Sequence, residues 1–553
     1  MARSRSNITE TEVPGTVFFV YTDTAKTEDS NDAGQNEITL VPHPLGTPRD
    51  PLNWSKIKKT WSLFLATLFA TVMAYSENQM GAAWTTVSED MGVTLGDMNG
   101  GSALNYLLLG FVNIIWISTA MKLGRKIVYI SAMTIVLATS LWNAYLTGTA
   151  QWYLSSFVSG IGQGAYQAII QLTIFDIFFA HQRGTMLAIY AWGQQLGTIL
   201  GLILGGYIAE GPGWRWGCKI VAIIAAAVII LFIFTLDDSL FPRHALGSSS
   251  TATSQQMSTI TKTEGSQESQ SAKGDAKKKK PEESALDRMA TLDHGIADLL
   301  PRNYWHILAP VHRFKEDKTT WWQYFRRPFH LFAFPNILVA GLIYAFANTA
   351  GIVSFNTISE IMTEAPYNWG TGSTGLLFLA ALVGSFIGMG TGALGDLLVL
   401  RLSHHNAGYK EPEMRLWILS FSFVYAAVGY FMYGWAAERG DSWVFIAVGL
   451  GAMIAQQVSA VSVATAYGME CFEGVSSELV VVLAICSSCV NFAMSFSVQP
   501  LIEATDYGRA FTFFGALVLG SLALAIPGLI WGKSWRRRCA RRYWEFVKEA
   551  VVV

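Results

Sequence analysis

Three glutamines, Gln163, Gln167 and Gln171, recur every fourth residue inside an uncharged stretch, residues 152–175. On a helix that spacing places them on one face. A carboxamide both donates and accepts, so such a stripe either binds a polar solute or ties helices together. Tyr166 borders the stripe, as do Gly160 and Gly164. Similar residues recur in other uncharged runs: Gln456, Gln457, Ser459 and Ser462 in 442–468, and Asn348 and Asn356, eight apart, in 336–359. A further run, 60–82, carries Asn78 beside Glu77, the one acid placed well inside such a segment. A carboxylate there marks a path for a cationic substrate or a proton. Lying late in its run, Glu77 also fits a solvated acid at a mouth.

A second group is basic. Lys122, Arg125 and Lys126 crowd around Gly124 between two greasy runs, 102–121 and 127–146. Asp176 closes the glutamine-bearing run, and Arg183 follows it in "DIFFAHQRG". The cations suffice to hold a turn on the cytoplasmic side of a membrane. An Arg125–Asp176 pair at the same depth would be partly shielded from water and could be bidentate, which suits a gate. Asp176 also reads as a helix-end acid among headgroups.

Other chemistries lack their residues. There is no Gly-x-x-x-x-Gly-Lys-Ser/Thr loop for a nucleotide and no His-Glu-x-x-His for zinc. Of five cysteines only Cys486 and Cys489 have a metal or redox spacing, and within an uncharged helix without a second pair they read as small packing residues. No metal, cofactor or nucleic acid is expected, and an enzyme is disfavoured.

These groups need helices to position them, and composition supplies the helices. The 553 residues are 51% apolar and only 14% charged, with mean hydropathy +0.33. About 20 apolar residues cross a bilayer core. Twelve runs qualify, near 60–82, 102–121, 127–147, 152–175, 185–209, 217–236, 336–359, 373–395, 416–436, 442–468, 479–501 and 510–532. The expected fold is therefore an all-α polytopic membrane protein of twelve transmembrane helices in two six-helix halves. Lys and Arg in the short connections put both termini inside. The expected organisation is a cytoplasmic tail over 1–58, a half over 59–236, a cytoplasmic central loop over 237–335, a half over 336–532 and a cytoplasmic tail over 533–553. The first fifty residues are polar, so insertion is expected to begin with the first span. Ser/Thr/Lys-rich residues 247–284 hold too little apolar surface to order themselves. "WWQYFRRPFHLFAFP" (321–335) reads as an interfacial segment, and the six cations of "KSWRRRCARRYW" (533–544) as a contact for anionic lipid.

Six plus six spans around a long loop, with Lys122, Gly124, Arg125 and Lys126 after span two, resemble the major facilitator superfamily. Its loop motif is Gly-x-x-x-Asp-Arg/Lys-x-Gly-Arg-Arg/Lys; here Ile117 replaces the glycine and Met121 the aspartate. The turn after span eight keeps Gly392-Ala-Leu-Gly-Asp396. "DPLNWSKIKK" (50–59), "DIFFAHQRGTMLAIY" (176–190), "GWRW" (213–216) and "NAGYKEPEMRLW" (406–417) look like its fungal twelve-span, drug:proton-antiporter-like branch, which includes polyamine and cation carriers. The span-five antiporter motif keeps glycines at 197, 201, 205 and 206, but Leu202 stands at its proline.

The resemblance implies a secondary active transporter of a small organic solute (a drug, secondary metabolite, polyamine or other organic cation), working by alternating access with protons as coupling ion. It places spans one, four, seven and ten around the cavity. Expected substrate contacts are Gln163, Tyr166, Gln167, Gln171, Asn78, Asn348, Asn356, Gln456 and Gln457, with Glu77 for proton or cation coupling. The expected cytoplasmic gate comprises Lys122, Gly124, Arg125, Lys126, Asp176, Arg183 and Asp396. A monomer in the plasma membrane is expected, the vacuolar membrane being second. A non-transporting nutrient sensor on the same scaffold is the alternative, against which the short C-terminal tail speaks.

Overall fold

The computed structural model describes residues 13–18, 50–241, 311, 320–406, 409–472 and 475–552. The low-complexity part of the central loop, including Lys277 to Lys280, lies outside them. Apart from a two-residue strand pair and short 3-10 turns, the described elements are α-helices.

In the first half, α1 (Lys56–Asn78) begins at Ser55, whose side chain accepts from the Lys58 amide at 3.3 Å. After the short α2 (Trp84–Met91), α3 (Leu95–Leu123) starts where Thr94 accepts from the Asp97 amide at 3.1 Å. Next come α4 (Arg125–Asn143), α5 (Thr149–Gln163), α6 (Tyr166–Ile177), α7 (Ala180–Glu210) and α8 (Trp214–Thr235). The fourth span is thus two helices, interrupted at Gly164 and Ala165. The span-five glycines face α1: a Cβ on Gly197, Gly201 or Gly205 would meet the carbonyls of Thr71, Tyr75 and Gln79.

The amphipathic α9 (Trp321–Leu331) leads into the second half. Trp321, Trp322, Phe325 and Phe329 stack along it, and Trp322 and Phe329 are exposed. The seventh span is again broken, into α10 (Pro335–Ala347) and α11 (Thr349–Thr363) about Asn348. Then follow α12 (Thr371–His405), α13 (Leu419–Arg439), α14 (Trp443–Cys471), α15 (Ser476–Ala504), α16 (Tyr507–Ala523) and α17 (Ala525–Val552). The basic C-terminal stretch therefore continues the last span as helix. Its Arg536 is fully buried, bonding both Glu413 oxygens at 2.9 and 2.6 Å and the Thr16 hydroxyl at 3.1 Å. This docks the strand β1 (Val17–Phe18) beside β2 (Tyr409–Lys410).

Nine helical segments among the described residues are long and apolar enough to cross a bilayer by themselves. The shorter α5–α6 pair, the lysine-led α1 and α7 supply the other three crossings. Each half has its own apolar core, one around Phe69, Tyr129 and Phe232, the other around Tyr433, Tyr467 and Phe511. The halves meet where α3 packs on α15 and α7 on α12.

Candidate functional site

Between the halves lies a small cavity of about 40 Å³, lined by Gln167, Gln171, Tyr190, Gln194, Tyr344, Thr465, Val480, Leu483 and Ala484. The first half contributes carboxamides and a phenol on α6 and α7; the second contributes Tyr344 and Thr465 beside the apolar Val480, Leu483 and Ala484. The broken spans border it: Gln167 lies in the first turn of α6, and Tyr344 one turn before the Asn348 break.

The buried Gln171 Oε1 has no hydrogen-bond partner among the described residues. Leaving such an atom unpaired costs roughly 1–3 kcal/mol, a cost that a donor on an occupant would relieve. Gln194 Nε2 donates to the Tyr166 hydroxyl at 3.4 Å, and that hydroxyl donates to Glu77 Oε2 at 3.5 Å. A polar chain thus runs from the cavity wall to the membrane-embedded carboxylate. On the far side, Asn348 Nδ2 donates to the Tyr344 carbonyl at 3.0 Å and to Ser487 at 3.3 Å, while its Oδ1 accepts from Gln457 at 3.2 Å.

The remaining amides are placed differently. Gln163 is buried and accepts from Asn105 Nδ2 at 2.9 Å, tying α5 to α3. Asn78 donates to the carbonyl of Ala74 on its own helix. Asn356 donates to Ser495 at 3.3 Å. Gln456 is fully buried, with neither amide atom hydrogen-bonded among the described residues. Tyr190 and Gln194 line the cavity too, although their sequence context reads as helix packing. The adjacent amides of "WGQQLG" were the available signal.

The basic turn has a definite architecture. Gly124 connects α3 to α4 at φ +106°, and a Cβ there would collide with the Asp238 carboxylate. Asp238 comes from beyond the end of α8 and accepts from the Arg125 amide at 2.9 Å, capping α4. The Arg125 side chain, 4% exposed, lies 3.1 Å from Asp176 and donates to the Ala120 carbonyl at 2.6 Å. Asp176 also accepts from Ser239 at 3.1 Å. Lys126 Nζ bonds the Ile233 carbonyl at 2.9 Å. All these contacts lie within the first half and the two residues, Asp238 and Ser239, just beyond its last helix. Lys122 makes contacts of its own at this end, while the side chains of Arg183 and Asp396 lie outside the described residues.

At this end the described residues of the two halves meet through an apolar cluster, with the Trp321 indole donating to the Thr119 hydroxyl at 3.4 Å. Ile114, Ile117 and Leu172 of the first half bury against Val480, Val481 and Ile485 of the second, with Phe325 and Phe332 packed alongside.

Comparison with known proteins follows the same lines. The chain is 27% identical to an uncharacterized MFS-type transporter of Schizosaccharomyces pombe, covering 97% of this chain and 94% of that protein. It is 25% identical to Protein HOL1 of Saccharomyces cerevisiae, over 92% of each. It is 23% identical to efflux pump vrtL of Penicillium aethiopicum, over 90% and 89%. The model of the Major Facilitator Superfamily matches residues 63–471. With two six-helix halves meeting around a cavity and the family match over most of its length, this chain belongs to the Major Facilitator Superfamily.

Proposed function

We propose that the protein moves a small organic cation across its membrane by alternating access, coupled to protons through Glu77. One observation carries the reading: the chain from Glu77 through Tyr166 to Gln194 on the cavity wall. A carboxylate at membrane depth favours an organic cation or a proton, and two such positive species compete for it. The amide and phenol wall offers hydrogen bonds, and the Val480, Leu483 and Ala484 wall offers apolar surface. Together they favour an amphipathic solute such as a polyamine or a cationic drug. Relatives named as MFS transporters and an efflux pump support transport over sensing. On this reading the Arg125–Asp176 contact braces the cytoplasmic gate, with Lys122, Arg183 and Asp396 as its further charges. The protein works as a monomer in the plasma membrane.

The test is transport by the purified protein in liposomes, with radiolabelled spermidine and tetraethylammonium as probes and an imposed pH gradient. Movement of either cation, responding to the gradient in the parent and no longer responding to it with Glu77→Gln, is expected. Flux of neither cation, or flux indifferent to both the gradient and Glu77, refutes the reading.

A further inference from the structure

At the end of the bundle opposite Arg125 the halves are joined by polar contacts. Ser359 donates to the Ala82 carbonyl at 3.2 Å, Ser495 to the Asn99 carbonyl at 3.2 Å, and Thr371 to the Gly206 carbonyl at 3.1 Å. These partners are neutral, and no salt bridge between described residues joins the two halves.

One carboxylate breaks the pattern. Glu210 is the last residue of α7, and its Oε2 accepts from the Gly372 amide at 3.0 Å. Gly372 is the second residue of α12, whose N-cap, Gly370, provides no side-chain cap of its own. The second or third amide of a helix is the group an N-cap side chain normally satisfies. Here the opposite half satisfies it, with a full negative charge at the positive end of a 35-residue helix. The backbone makes room: a Cβ on Gly372 would lie 2.4 Å from the same Glu210 oxygen.

We infer that Glu210 is the latch of this mouth, a carboxylate that caps α12 across the seam when the mouth is closed and releases it when the mouth opens. The inference rests on the alternating-access reading. Opening costs α12 the one side-chain cap it has among the described residues, and the neutral contacts exchange for water. Because Glu210 is exposed, solvent screening limits the bias to roughly fivefold in the closed-to-open ratio.

The experiment measures the distance across this mouth by double electron–electron resonance. Spin labels are placed at the exposed Glu89 and Ser442, with Cys486, Cys489 and Cys539 changed to serine. Glu210→Ala is expected to move the closed-to-open ratio about fivefold towards open, and Glu210→Gln by less, since its carbonyl still accepts. Gly372→Ala, which crowds the carboxylate without altering it, should reproduce the shift, and it decides the matter if Glu210→Ala fails to fold. Distances unchanged in both Glu210→Ala and Gly372→Ala, against a parent showing two populations, overturn the latch. A parent with one population that spermidine and tetraethylammonium leave unmoved refutes alternating access itself. A purely structural role would lower the melting temperature without moving the ratio.

Discussion

Gln171→Leu should make the protein more stable and less able to bind its solute. The buried Oε1 of Gln171 has no partner among the described residues, while the side chain lines the cavity. Replacing an unpaired polar group with an apolar one of similar shape is nearly neutral or stabilising. The expected stability change is therefore between about zero and +1 kcal/mol, a few degrees of melting temperature at most. The loss on the transport side is separate. Removing a hydrogen bond to a desolvated ligand costs about 1–3 kcal/mol, so KM should rise about tenfold. Gln167→Ala should raise KM to a similar degree. Gln163→Ala is the control. Its 2.9 Å bond to Asn105 joins α5 to α3 away from the cavity, so it should cost about 1 kcal/mol of stability and leave KM alone. Melting in detergent and spermidine uptake into proteoliposomes, measured on the same preparations, separate the two effects. A Gln171→Leu protein with unchanged KM, or a Gln163→Ala protein with a tenfold higher one, would show the cavity has been misassigned.

Three further outcomes follow from named contacts. Glu77→Gln keeps the shape of the carboxyl and its contact with Tyr166, so protein abundance should hold while cation uptake loses its dependence on the pH gradient; a retained dependence removes Glu77 from coupling. Arg125→Ala leaves Asp176 only part of its present support and should cut transport at least tenfold, with Arg125→Lys intermediate because an ammonium lacks the guanidinium fork; normal rates in Arg125→Ala would limit the turn to topology. Asp90, outside the spans, is held below the usual carboxylate range first by the 2.9 Å Trp214 indole bond and then by Arg215. A depressed pKa stabilises above the unfolded-state value, and the benefit fades as pH falls through the folded one. Asp90→Asn should therefore melt slightly below wild type at pH 7, with the gap closing under acid; a gap that widens in acid contradicts the sign.

The glutamine stripe was legible because four-residue spacing in an uncharged run has few bland explanations. Which glutamine meets the cavity was not legible. The stripe crosses the interruption at Gly164 and Ala165, and Asn105 claims Gln163 from a helix far away in sequence. Tyr190 and Gln194 were obscured by the neighbouring glycines of span five, whose packing on α1 accounts for that segment by itself. Tyr344 sits in an apolar run, where an aromatic reads as core. The juxtaposition of Arg125 with Asp176 could be posed from matched depth along two spans. Asp238 and Ser239 could not, because they follow the last apolar residue of span six and look like the start of a linker. Helix counts and breaks differ for a similar reason: hydropathy reports which residues avoid water but not where a helix is interrupted.

The two closures differ in chemistry, and the difference shows how an occupant can act on them. Opening the mouth that holds Glu210 trades directional bonds for water, each worth about 0.5–1.5 kcal/mol net. Opening the other exposes Ile117, Leu172, Val480, Val481 and Ile485, at about 25 cal/mol for each Å² of apolar surface. Residues on a single stretch of α15 serve both the cavity and that closure: Val480, Leu483 and Ala484 line the first, while Val480, Val481 and Ile485 form the second. One turn further on, Ser487 receives the bond from Asn348 at the break of span seven. On the proposed function, a solute that packs on this face touches the same helix that closes this end. Only the part of its binding energy that differs between the open and closed arrangements contributes to opening. On the proposed alternating-access reading, contact with α15 is where such a difference arises.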